Sequence, residues 1–97
     1  MLGGTSVSLV QTISLGQVVK SITGRDAETI YLVVGINGRN VFLSDGRERS
    51  IIKPKKKNIR HVKVYERISE ALADKFIGNR KVTDEDIRQA IANLQPR

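Results

Sequence analysis

Two apolar segments separated by a glycine turn constrain the fold more than any other feature of the sequence. Residues 30–36 (IYLVVGI) are apolar at successive positions and rich in β-branched side chains, which is typical of a strand buried on both faces. Asn37 and Gly38 follow, and both residue types tolerate the positive φ of a two-residue hairpin turn. Residues 40–44 (NVFLS) then predict the returning strand. The sequence therefore predicts a β-hairpin whose first strand lies at the centre of a core.

Three further strands are predicted around this hairpin. Residues 16–22 (GQVVKSI) favour a first strand, which a polar loop over 23–28 connects to the hairpin. The turn at Asp45-Gly46 predicts a fourth strand over residues 47–53, ended by Pro54 because proline cannot donate to a ladder. The KKKN run then crosses over to a short fifth strand over residues 61–64. Five short strands joined by tight turns predict a small SH3-like β-barrel.

The chain changes character after Tyr65, because residues 66–97 carry equal numbers of cations and anions. Gly78 and Thr83 predict the end of one helix and the N-cap of the next. The predicted apolar face consists of Ile68, Leu72, Phe76, Ile87 and Leu94, spaced for helices. We therefore expect a helical hairpin whose apolar face covers the barrel, the other helix or a partner. The predicted organisation is a flexible arm over 1–14, a barrel over 15–65 and this hairpin over 66–97.

Positive charge is concentrated between Asp45 and Lys63. Eight of these residues are Lys or Arg, and the stretch carries +6 of the protein's formal +7. Such a concentration favours a polyanionic partner, of which nucleic acid is the first candidate. The alternative is a solvated basic loop that binds nothing.

Catalysis and metal binding have little support in the composition. The chain has no cysteine and a single histidine, His61, so thiolate or imidazole metal sites are not expected. The sequence contains no glycine-rich phosphate-binding motif and no strained serine nucleophile. Its N-terminus has no leader pattern, and no apolar run would span a bilayer. We expect a non-catalytic cytoplasmic protein that needs no cofactor, no metal and no membrane.

Four stretches resemble a KOW-motif domain. They are LGQVVKSITGRD, IYLVVGI, SDGRER and KPKKKNIRHV, and the likeness extends loosely over residues 15–94. The chain is similar to small bacterial KOW-domain RNA-binding proteins described as ribosomal-protein-like, and more distantly to KOW-bearing large-subunit ribosomal proteins of archaea and eukaryotes. This resemblance implies an SH3-like barrel that binds RNA, such as ribosomal RNA. Gly24 matches the first glycine of the motif, whereas Glu28 stands where a second glycine is usual.

Eleven polar residues are predicted to contact RNA, most of them through phosphates. They are Arg25, Arg47, Arg49, Lys53, Lys55, Lys56, Lys57, Asn58, Arg60, His61 and Lys63. Because the lysines are expected in a crossover, their replacement by alanine should leave the fold intact. The alternative function is a protein-interaction module that uses the barrel and the apolar face of the helical hairpin.

Overall fold

The computed structural model describes residues 12–96, which form one antiparallel sheet followed by two helices. The elements are β1 (Gln17–Ser21), β2 (Ile30–Asn37), β3 (Asn40–Ser44), β4 (Lys55–Asn58), a 3-10 helix (Ile59–His61), β5 (Val62–Ile68), α1 (Glu70–Ile77) and α2 (Asp84–Leu94). The sheet order is β4-β3-β2-β1-β5. The prediction of a mainly β fold with C-terminal helices is confirmed, although the five strands are not closed into a barrel. Most of the predicted arm, residues 1–11, lies outside the described residues.

The predicted hairpin is present, and β2 is the central strand of the sheet. Its turn lies one residue later than predicted, because Asn37 pairs with Asn40 as the last rung of the ladder. Gly38 and Arg39 therefore form the turn. Gly38 has a φ of +62°, the conformation that glycine adopts without steric cost.

Both faces of the sheet are buried, which explains the uninterrupted apolar sequence of β2. Leu32 packs on the side covered by the helices, whereas Tyr31 and Val33 pack on the opposite side. The helix-side cluster contains Val18, Leu32, Leu72, Val82, Ile87 and Ala90. The opposite cluster, called here the inner cluster, contains Val19, Tyr31, Val33, Val41, Leu43 and Val62. Each fully buried aliphatic side chain contributes roughly 1.5–3 kcal/mol relative to its exposed form.

The predictions for residues 47–58 are wrong. Residues 46–53 form an irregular loop, and the KKKN run expected as a crossover is the fourth strand, which begins after Pro54. Local side chains satisfy the backbone of this loop. Asp45 Oδ1 accepts from the N–H groups of Arg47 at 2.9 Å and Arg49 at 3.0 Å, and Ser44 Oγ donates to the Arg49 carbonyl at 2.7 Å. These bonds replace a strand ladder.

The C-terminal helices begin at side-chain caps. Ser69 accepts from the N–H of Leu72, and Thr83 forms a capping box with Asp86. Gly78 ends α1 as predicted, and Thr83 is the predicted N-cap. Ile68 was expected in the first helix but belongs to β5, which extends beyond the predicted barrel boundary at residue 65. No helix in residues 12–96 is long and apolar enough to cross a membrane.

Candidate nucleic-acid interface

Strand alternation in β4 separates the three consecutive lysines onto two faces. Lys55 pairs with Leu43 and Lys57 with Val41, both of which belong to the inner cluster. Lys56 pairs with Phe42 and faces the other side of the sheet, where it is exposed. Neighbouring side chains on a strand point to opposite faces. Lys55 and Lys57 therefore lie on the face of the sheet that carries the inner cluster, and Lys56 lies on the opposite face.

Lys57 is a buried component of an ionic cluster around Asp26. Its Nζ donates to Asp26 Oδ1 at 2.9 Å and to the Thr23 carbonyl at 2.8 Å, and its side chain is only 8% exposed. Lys55 Nζ lies 3.3 Å from Asp26 Oδ2. Ser21 Oγ and Tyr31 Oη also donate to this carboxylate, at 2.9 and 2.8 Å. The Asp26 cluster (Ser21, Asp26, Tyr31, Lys55 and Lys57) joins the 23–28 loop to β4.

Asp26 remains ionised despite its environment. Burial opposes its charge, but hydrogen bonds from Lys57, Tyr31, Ser21 and Lys55 outweigh burial and hold the pKa of the carboxyl well below its usual range. The pKa of the Tyr31 hydroxyl is raised, first by burial and then by its hydrogen bond to the Asp26 carboxylate. The hydrogen bond from the neutral Tyr31 hydroxyl to the charged Asp26 carboxylate contributes to both pKa shifts.

Glu28 has the backbone conformation of a glycine although it carries a side chain. Its φ is +79°, in the left-handed region, and its N–H donates to the Ser21 carbonyl at 2.7 Å. Its side chain extends outward, with Oε1 3.1 Å from Lys20 Nζ. A side chain in this conformation is strained, so Glu28 adds a strained residue to the loop.

Four of the predicted RNA-binding residues meet at one cavity of about 590 Å³, called here the cationic cleft. Arg25 comes from the 23–28 loop, Arg47 and Arg49 from the 46–53 loop, and Lys55 from β4. Three acidic residues, Asp26, Asp45 and Glu48, share the walls with four cations, and Asp26 is already bound by two lysines. Asp45 also uses Oδ1 to hold the loop backbone. The three arginines have exposed side chains and are separated in sequence by as many as 24 positions.

Helix α2 supports the loop that carries Arg47 and Arg49. Asp84 Oδ1 accepts from the Ile51 N–H at 2.7 Å, and Arg88 Nη1 donates to the Gly46 carbonyl. Gly46 has a φ of +73°, and a Cβ at this position would lie 2.5 Å from the Asp84 carbonyl oxygen. Only glycine fits so closely against the helix. The C-terminal helix therefore positions part of the cleft, a role that the sequence did not indicate.

Other predicted contact residues lie outside the walls of the cleft. Asn58 Oδ1 accepts from the Arg60 N–H at 2.9 Å and so caps the 3-10 helix that carries Arg60 and His61. Arg60 and His61 are exposed. Lys53 is exposed in the 46–53 loop.

Lys63 occupies the other edge of the sheet from β4. It lies on β5, with its Nζ 5.2 Å from the centre of the Tyr65 ring. This distance is within the range of a cation–π interaction. The predicted contact residues from Lys53 to Lys63 are therefore divided among the 46–53 loop, the cleft, the 3-10 helix and the opposite sheet edge.

The predicted protein-binding face is largely used by the protein itself. Leu72 and Ile87 are buried in the helix-side cluster, against which Phe76 and Leu94 also pack. Ile68 remains 39% exposed on β5. The helical stripe thus packs on the sheet, one of the three outcomes expected from the sequence.

Sequence reasoning missed Asp26, Tyr31 and Arg88. The lysine run could have indicated an acidic partner such as Asp26. If KKKN is a strand, Lys55 and Lys57 lie on the same face of the sheet, and ammonium groups on a buried face require a carboxylate nearby. Arg88 gave no such signal, since its contact with Gly46 spans 42 residues.

The charged side chains in the described residues do not resemble a metal centre. Within residues 12–96, no three His, Cys, Asp or Glu residues are grouped so that they could hold an ion.

Comparison of the sequence with known protein families finds no matching family model. The search of curated proteins likewise finds no match.

Proposed function

We propose that this protein is a non-catalytic, cytoplasmic RNA-binding protein that contacts ribosomal or other structured RNA through the cationic cleft. The observation that carries the proposal is the convergence of Arg25, Arg47 and Arg49 on one cavity from two separate loops. None of the three guanidinium groups donates to a carboxylate among the described residues. Their charges are therefore available to a polyanion.

The arginines bind phosphate oxygens of the RNA backbone. A guanidinium presents a planar set of donors that engages phosphate in a bidentate manner, which gives orientation as well as attraction. Lys57 takes no direct part, because its ammonium group is buried against Asp26 and Thr23. The chain has only four aromatic residues, one of which, Tyr31, is buried. These features favour recognition of folded RNA by shape and backbone over base stacking along a single strand.

The finer proposal is an SH3-like barrel related to KOW domains. Two features support it. β1 pairs with both β2 and β5, and the inner cluster draws residues from β1, β2, β3 and β5, as expected for a strongly curved sheet. The GRD segment and the lysine run, on which the resemblance depends, are joined by the contacts of Asp26 with Lys55 and Lys57. Association with the ribosome is part of the same proposal.

The proposal is tested by removing equal charge from two places. The cleft variant carries Arg25→Ala, Arg47→Ala and Arg49→Ala, and the control carries Lys56→Ala, Arg60→Ala and Lys63→Ala. Binding to folded ribosomal RNA fragments is followed by fluorescence anisotropy at several salt concentrations. We expect the cleft variant to lose about 100-fold in affinity and the log–log salt slope to fall in magnitude by about 2–3. The control should lose less than a tenth as much affinity.

Equal losses in the two variants would overturn the assignment of the cleft, since any positive surface would then serve. Salt-independent binding would overturn the phosphate-contact mechanism, and no binding by the wild-type protein would overturn RNA binding itself. A stoichiometric protein partner that survives nuclease treatment would favour the interaction-module alternative.

A further inference from the structure

A second cavity, of about 350 Å³, lies between helix α2 and the sheet. Its apolar wall is formed by Ile30 of β2 and by Ile91 and Ala92 of α2. Asp45 and Arg47 line both this cavity and the cationic cleft. A ligand held in the cleft can therefore extend into the second cavity past Arg47.

The second cavity differs from the cleft in its charge. Arg88 also lines it, but this guanidinium is paired with Glu85, with Nη2 2.7 Å from Oε1. Arg47, which forms no ion pair among the described residues, stands where this cavity meets the cleft. Beyond Arg47 the one guanidinium in the wall is already paired, so this part of the cavity offers no free positive charge for a phosphate. A neutral, partly apolar group fits it better.

The shape and donors of the cavity suit a nucleobase. Isoleucine side chains provide an apolar surface for the face of a ring, and the Arg88 guanidinium is held in place by the Gly46 carbonyl and Glu85. The Gln95 side-chain amide at the rim offers both a donor and an acceptor, which the edge of a base requires. Unpaired bases in folded RNA are commonly stacked on aromatic rings or guanidinium planes and hydrogen-bonded at their edges, and in this cavity the Arg88 guanidinium and the Gln95 amide are the groups that can do so.

We propose that this cavity, the base cavity, binds one unstacked nucleobase of the RNA whose phosphates occupy the cationic cleft. The inference rests on the proposed function and adds to it a site for base recognition on the C-terminal helix. Arg47 contacts the phosphate that joins the two subsites. The preferred RNA is then a stem with an unpaired nucleotide rather than a continuous duplex.

Filling the base cavity tests the inference without altering any charge. Ala92→Phe places a ring in the cavity, and Ala71→Phe is the matched control because Ala71 is an exposed alanine on α1 outside both cavities. The probes are a ribosomal RNA hairpin with an unpaired loop and the same stem closed as a continuous duplex. We expect Ala92→Phe to weaken binding of the loop hairpin about tenfold, the order expected when a base loses a hydrogen bond to a charged group. Its salt slope, its duplex affinity and both affinities of Ala71→Phe should be unchanged.

A second measurement detects binding of a base in this cavity without RNA. Uncharged nucleosides are titrated while the backbone amide signals of residues 91–95 are followed by NMR. We expect saturable shifts in the wild-type protein that Ala92→Phe abolishes and Ala71→Phe retains; absence of such shifts would overturn the base cavity. If both RNA probes bind with a normal salt slope but Ala92→Phe changes neither, the base cavity is also wrong and the proposed function survives. If neither probe binds at all, the proposed function fails.

Discussion

Lys56 and Lys57 are adjacent in the sequence and differ completely in their surroundings. Lys57 is buried and donates to Asp26 and Thr23, whereas Lys56 is exposed on the opposite face of β4. The alternation of a β-strand accounts for the difference. A run of basic residues therefore divides into charges that hold the fold together and charges that can meet a ligand, and counting them together overstates the ligand-binding surface.

This division changes the expected outcome of a simple experiment. Replacing Lys55, Lys56 and Lys57 together was expected to leave the fold intact. Two of these lysines contact Asp26, so the triple substitution would remove both cations from a largely buried carboxylate. Any loss of RNA affinity would then be confounded with loss of structure.

The largest expected effect separates the two neighbours directly. Lys57→Met removes a buried charge while keeping the length of the side chain, and should lower the free energy of unfolding by about 2–3 kcal/mol. Lys56→Met should change it by less than about 0.5 kcal/mol. Urea denaturation followed by circular dichroism measures both. Equal stabilities of the two variants would contradict the structural role of Lys57.

A smaller effect appears in the pH dependence of stability. Because folding lowers the pKa of Asp26, its contribution is complete above the unfolded pKa near 3.9 and is lost as pH falls below that value. Folding raises the pKa of Tyr31, so its contribution is lost as pH rises above about 10. We expect Asp26→Asn to be less stable at pH 7 and to show a weaker decline towards pH 3. A decline as steep as that of the wild-type protein would assign the acid sensitivity to other carboxyl groups.

The smallest effect concerns the loop that carries both Arg25 and Asp26. Glu28→Gly relieves a left-handed residue and should raise the free energy of unfolding by about 0.5–1 kcal/mol. Glu28→Ala is the control, because alanine keeps the strained φ while losing the contact with Lys20. Thermal unfolding distinguishes them, and a glycine variant no more stable than the alanine variant would show that the strain is absent.

The sequence predicted those parts of the fold that depend on neighbouring residues. The Asn37–Gly38 hairpin signal, the β-branched run of β2 and the Thr83 cap all act over a few positions, and each prediction was correct within one residue. The prediction of a strand over residues 47–53 was wrong because the side chains of Asp45 and Ser44 form hydrogen bonds with the backbone of this loop. The burial of Lys57 and the contact of Arg88 with Gly46 depend on residues 31 and 42 positions away. Local patterns carry no information about such pairs.

The salt dependence of RNA affinity in Lys57→Met is the most direct test of the division between structural and ligand-binding cations. Under conditions where this variant remains folded, its log–log salt slope should stay within about 0.5 of the wild-type value, because a buried ammonium releases no counterion from RNA. The cleft variant, by contrast, should lose about 2–3 from the slope at wild-type stability. A slope in Lys57→Met that falls by a full phosphate contact would contradict the account, since Lys57 would then bind RNA itself.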